Sequence, residues 1–200
     1  MRIPTTEEQA EIEIKRSKFI SYSYPITSAD EVRPLVKRLW SLHPNASHVV
    51  HAFILGKHGD HFGMSDDHEP KNTAGRPALE VLKGSGLTNI LVLIVRYFGG
   101  TKLGTGGLVK AYTQSTQMVI ADIPSEELIE RTRFYLEVPY DLYTPIHTIL
   151  LEHAADTLEE QFATEIKIEG RVPQDRFDST KELILERSAG RVILQTFEPD

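Results

Sequence analysis

The chain has 200 residues, 40% of them apolar and 26% charged, the make-up of an ordinary globular protein with room for one domain or two small ones. Its 22 basic against 29 acidic residues leave a formal charge of −7, which argues against a generic basic nucleic-acid binder and a basic membrane-surface protein. Cysteine is absent, which excludes disulfides, thiolate zinc sites and a cysteine nucleophile.

The opening stretch, MRIPTTEEQAEIEIKR, lacks the continuous apolar core of a signal peptide. Residues 9–26 place Ile12, Ile14, Phe19, Tyr22 and Tyr24 in roughly alternating positions, the pattern of an early strand or hairpin. From Asp30 to Leu42, residues Val32, Leu35, Val36, Leu39 and Trp40 recur at helical spacing, with Pro34 tolerable only in the first turn. His48 to Leu55 reads as a strand. Pro77 to Lys83 reads as a short helix, with Pro77 suited to its first position and Gly84 to its end. Asn89 to Val95 reads as a buried strand. Its aliphatic run, Ile90 to Val95, is six residues long, far short of a membrane span, so no membrane partner is expected and the default location is cytoplasmic. Leu108, Ala111, Tyr112, Ser115 and Val119 mark a helix face.

Eleven of thirteen glycines and six of eight histidines lie before residue 108, and Pro124 would stop a preceding helix. We therefore expect a linker and boundary between about 121 and 134, with domains over 1–130 and 131–200. The second half predicts a strand at Arg133–Val138, a helix from Leu142 to His153 with Pro145 in its first turn, and two short strands in 160–172. A helix over 175–188 and a last strand at Arg191–Phe197 complete a βαββαβ order, which is ferredoxin-like. The fold class is α+β. Residues 1–134 hold 16 basic and 15 acidic residues, net +1, and residues 135–200 hold 6 and 14, net −8. The acidity belongs to the second domain, which leaves the first free to carry a local basic face.

Two segments carry the candidate chemistry. Arg96-Tyr97-Phe98-Gly99-Gly100-Thr101-Lys102-Leu103-Gly104-Thr105-Gly106-Gly107 follows the buried strand and precedes a helix. A glycine-rich turn opening a helix offers free N–H groups to an anion. Arg96, Tyr97, Gly99, Gly100, Lys102, Gly104, Gly106, Gly107 and Lys110 form the candidate anion or nucleic-acid site, against the alternative of a tightly packed connection. Thr105 stands where a Walker A loop requires lysine, and Val109 breaks G-x-G-x-x-G. Upstream, Ser65-Asp66-Asp67-His68-Glu69-Pro70-Lys71-Asn72-Thr73-Ala74-Gly75-Arg76-Pro77 is dense in carboxylates. Asp66, Asp67 and Glu69 are candidates for acid–base work or a hard cation. The plainer reading, which we favour over a metal, is a polar loop satisfying backbone groups. His48 and His51 fall on opposite faces of one strand and cannot share an ion. His58 and His61 alone make a weak pair. We expect no metal, no cofactor and no catalytic nucleophile, since no G-x-S-x-G elbow occurs.

The two segments, with Arg16-Ser17-Lys18-Phe19 and Ala46-Ser47-His48, resemble the YigZ/IMPACT family. Asp66, Asp67, Glu69, Thr73, Gly75 and neighbouring Arg76 lie in its acidic loop. His68 and Asn72 stand where its pattern usually has glycine. The resemblance implies a first domain like the second domain of ribosomal protein S five, and a second like a C-terminal domain of elongation factor G. It also implies a link to translational control. The kinase-regulatory role of eukaryotic members is not expected, because their additional N-terminal domain is absent from this sequence. The leading expectation is a non-enzymatic factor contacting RNA or the ribosome. The alternatives are a carboxylate- or metal-dependent hydrolase or phosphate-ligand enzyme, and a regulatory module binding a protein partner through the acidic second domain.

Overall fold

The computed structural model describes residues 1–196 and divides into two compact units, Met1–Leu128 and the chain from Ile129 onward. The first unit holds strands β1 (Arg2–Pro4), β2 (Glu8–Ile14), β3 (Ser17–Pro25), β4 (His48–Leu55), β5 (His61–Ser65), β6 (Ile90–Tyr97) and β7 (Ser125–Glu127), and helices α1 (Val32–Leu42), α2 (Gly75–Gly84) and α3 (Gly104–Ile120). Five strands form an antiparallel sheet in the order β2-β3-β6-β4-β5. Lys15 and Arg16, both at positive φ, close the β2–β3 hairpin.

The apolar run of β6 fits its central place. Ile90, Val92 and Ile94 pack with α2 and α3 in one core. Leu91, Leu93 and Val95 pack in a second, beneath α1. A strand covered on both faces needs no polar alternation. The same two-residue period places Arg96 on the α2/α3 face and Tyr97 on the α1 face.

Several boundaries differ from expectation. α2 starts at Gly75, so Pro77 is its third residue and not its first. It still lies in the first turn, where a missing amide is harmless. α3 starts at Gly104, so Gly104, Gly106 and Gly107 belong to its first turn and not to a loop ahead of it. The expected linker contains β7, which pairs antiparallel with β1 (Arg2 opposite Glu127, Pro4 opposite Ser125). These short strands, like β5, carry little apolar pattern of their own and are fixed by long-range pairing.

The second unit contains β8 (Arg131–Val138), α4 (Tyr143–Glu152), β9 (Asp156–Phe162), β10 (Ile166–Pro173), α5 (Phe177–Arg187) and β11 (Gln195–Thr196). This is the βαββαβ order, in a four-stranded antiparallel sheet of order β11-β8-β10-β9. Phe134, Leu136, Ile166 and Ile168 join Ile146, Leu150 and Ile184 in its core. The last strand covers less than Arg191–Phe197, and Phe197 lies outside the described residues. No helix among the described residues is long and apolar enough to cross a membrane.

Candidate functional site

The acidic loop meets the start of α3 on the α2/α3 side of the first sheet. Its three carboxylates do different things. Asp66 accepts from the backbone N–H groups of Asn72 (2.7 Å), Ala74 (3.1 Å) and Gly75 (2.8 Å). It therefore caps α2 from outside the helix, satisfying donors that a helix start leaves free. Asp67 accepts from the N–H of Val49 at 2.6 Å and ties the loop to β4. Thr73 donates its hydroxyl to the Pro70 carbonyl at 2.6 Å. Gly75 is needed for close approach, because a Cβ there would lie 2.7 Å from the Ser65 carbonyl oxygen.

Glu69 turns inward. It is 8% exposed, and its Oε1 accepts from Arg96 Nη1 at 2.5 Å and from the Tyr112 hydroxyl at 2.8 Å. Burial first, and the Glu69 carboxylate second, push the Tyr112 phenol far above its ordinary range, so it stays a donor. His48 joins from β4. Its Nδ1 lies 2.7 Å from the Asp67 carbonyl, which can only accept, so Nδ1 carries the proton. Nε2 then faces Glu69 Oε1 at 3.9 Å. A buried charge needs donors close to it, and Arg96 and Tyr112 supply them to Glu69. Arg96 is 5% exposed, and its Nε is buried without a hydrogen-bond partner.

Above this pair lies a cavity of about 330 Å³, lined by Glu69, Pro70, Arg96, Phe98, Lys102, Leu103, Gly104, Thr105 and Leu108. Lys102, Gly104 and Thr105 are exposed around it. No side chain caps the start of α3.

The glycines of this segment have distinct reasons. Gly99 is pressed on the β2–β3 hairpin. Gly100 and Gly104 hold φ of +82° and +71° and border open space, a backbone state that favours glycine. Gly106 has neither cause, since it is helical and a Cβ on it would meet nothing within 4 Å.

Not every expected residue comes here. Tyr97 lies on the other sheet face, where its hydroxyl meets His43 Nδ1 at 2.8 Å. Arg76 is exposed on α2 and lines the groove between α2 and α3. Lys110 is exposed on the second turn of α3. Among the described residues no group of three His, Asp or Glu side chains is placed to hold a metal. His48 and Tyr112 were absent from the expected site. Their signal was indirect, since Arg96 continues the buried face of β6 and a charge there demands partners.

A model described as the Impact N-terminal domain matches residues 15–120, which span both loops. The chain belongs to the IMPACT family. A second model, described as a domain of unknown function (DUF1949), matches residues 136–191. The chain is 34% identical over 198 residues to an IMPACT family member of Haemophilus influenzae, covering 98% of this chain and 96% of that one. It is 35% identical over 150 residues to the IMPACT family member YigZ of Escherichia coli, covering 74% of each. A crystal structure described as that of a hypothetical protein overlays with a TM-score of 0.72 at 29% identity, covering 100% of this chain and 98% of the other.

The two loop positions at which the resemblance leads one to expect glycine hold glycine-like backbone. His68 has φ of +67° and Asn72 +63°. Asparagine tolerates this region and histidine less so. His68→Gly is expected to stabilise the first unit by about 1 kcal/mol, read from the urea midpoint. A loss of stability would mean that the exposed histidine is held by its side chain.

Proposed function

We propose that the chain is a cytoplasmic, non-enzymatic factor acting in translational regulation, which holds RNA phosphates, free or on the ribosome, at the glycine-rich face of its first unit. Membership of the IMPACT family fits translational regulation at family level. We extend this to the folds themselves, reading the first unit as like the second domain of ribosomal protein S five and the second as like a C-terminal domain of elongation factor G. The carrying observation is the start of α3, a helix of 17 residues with no side-chain cap, flanked by exposed Lys102 and Lys110. Free first-turn N–H groups and the helix dipole favour negative charge. The bare backbone at Gly100, Gly104 and Gly106 gives a phosphate close approach.

A hydrolase built on the acidic loop is less well supported, because Asp66 and Asp67 are engaged by backbone amides and Glu69 by Arg96 and Tyr112. The near-neutral charge of the first unit predicts modest, salt-sensitive affinity. Lys102→Ala is expected to weaken RNA binding for all sequences alike and to lower the slope of log affinity against log salt by about 1. Fluorescence anisotropy with a labelled single-stranded RNA, and co-sedimentation with ribosomes at low salt, read this. Absence of binding in both would overturn the reading.

A further inference from the structure

We infer that the cavity beneath the start of α3 is a binding site for a phosphomonoester, a terminal phosphate that enters end-on. This rests on the anion reading of the same face and goes further, because a phosphodiester passing across the surface would meet Lys102 and the first-turn amides but not the floor.

The floor is a built polar site. Arg96 is 5% exposed, lines the cavity, and has an Nε that no acceptor reaches. A buried donor left unsatisfied costs about 1–3 kcal/mol, so a phosphate held in the cavity gains what the folded chain lacks once the Arg96 side chain turns its buried Nε toward it. The rim offers Gly104 and Thr105, whose N–H groups stand at the positive end of α3, and the exposed ammonium of Lys102; Gly106 follows in the same helical turn. Phe98, 52% exposed, and buried Leu108 supply apolar wall. Glu69 is the one acidic group lining the cavity. Arg96 Nη1 and the Tyr112 hydroxyl both engage its Oε1, which offsets its repulsion of an anion. A volume of about 330 Å³ lies at the small end of ligand cavities, about 300–1,000 Å³, and suits a phosphate with part of a sugar.

Gly106 supports the same ligand. Neither packing nor φ requires glycine there, and glycine in a helix is unfavourable relative to alanine. What its missing Cβ provides is open access to the first turn from outside.

The test uses the full-length chain labelled with nitrogen-15. Inorganic phosphate, adenosine 5′-monophosphate and 3′,5′-cyclic adenosine monophosphate are titrated in turn. We expect the first two to shift the amides of Gly104, Thr105 and Gly106 together with the Arg96 Nε–H signal, in a saturable way. The cyclic diester should bind at least about tenfold more weakly. Gly106→Ala should be at least as heat-stable as the natural chain and bind the monophosphate about tenfold less well. Displacement of the monophosphate by a 5′-phosphorylated RNA, but not by its 5′-hydroxyl twin, would support the site and identify RNA ends as the source. Binding of the nucleotide alone would support it with a free nucleotide as the source. Equal binding of the cyclic diester, or an unmoved Arg96 signal, would overturn the inference while salt-dependent RNA binding, if present, kept the broader reading. Monophosphate binding without any RNA binding would do the reverse.

Discussion

Arg96→Ala is expected to destabilise the first unit by about 3–5 kcal/mol, the range for breaking a buried ion pair by removing one partner. The loss comes from what remains. Glu69 would keep the Tyr112 hydroxyl and lose the guanidinium that sits 2.5 Å from it, leaving a carboxylate out of water without a matching charge. The chain's single tryptophan, Trp40, lies in α1 beside the second core of the first unit, so its fluorescence in a urea titration reports this unit. The double change Arg96→Met with Glu69→Leu removes both charges and is expected to recover part of the loss, because it leaves no unpaired charge but takes from the buried Tyr112 hydroxyl its acceptor. A loss below about 1 kcal/mol for Arg96→Ala would place this pair in the class of solvated surface bridges and remove the floor from the proposed phosphate site.

Gly99→Ala is expected to be at least as damaging, about 3 kcal/mol or more, beyond the usual range for overpacking. The added Cβ would sit 2.0 Å from the Arg16 carbonyl carbon, 2.1 Å from its oxygen and 2.3 Å from the Ser17 nitrogen. All three are backbone atoms, so no rotamer relieves the clash and the hairpin corner itself must shift. The comparison within one segment is the informative part. Gly100→Ala meets no atom within 4 Å but holds φ of +82°, for which about 1–2 kcal/mol is expected. Gly106→Ala meets neither obstacle. The order Gly99, Gly100, Gly106 in melting temperature separates close packing, backbone strain and external access in a row of residues that looks uniform in the sequence. Equal effects at all three would contradict it.

The elements that carry their own pattern could be read from the sequence. The aliphatic run of β6, the helical spacing from Val32 to Trp40, and the βαββαβ order of the second unit each rest on local periodicity. β1, β5 and β7 do not, since each is short, partly polar and defined by a partner far along the chain. The start of α3 was hidden for another reason: Gly104, Gly106 and Gly107 are poor helix formers, so residues of its first turn read as loop. At the site, the two loops stood out by composition, but the roles of their residues did not. A carboxylate that caps a helix and one that faces a ligand look alike in a sequence. Asp66 and Asp67 proved to be structural ties, while Glu69 joined Arg96 and Tyr112 across 27 and 43 residues of chain. Tyr97, one residue from Arg96, fell on the opposite face by the parity of a strand.

The central position of β6 also sets the order in which the chain can fold during its own synthesis. Tyr22 of β3 sits opposite Leu93, and Phe53 of β4 opposite Leu91, so neither earlier segment has its central neighbour until residues 90–97 exist. At about 5–20 residues per second, the wait between finishing β3 and finishing β6 is about 4–14 s. Through that interval a nascent chain carries a hairpin with Phe19 and Ile20, both buried in the finished protein, still uncovered. A message interrupted ahead of Ile90 would therefore leave a fragment with two strand pairs, β2–β3 and β4–β5, whose inner edges have no central strand to join them and stay open to strands outside the chain.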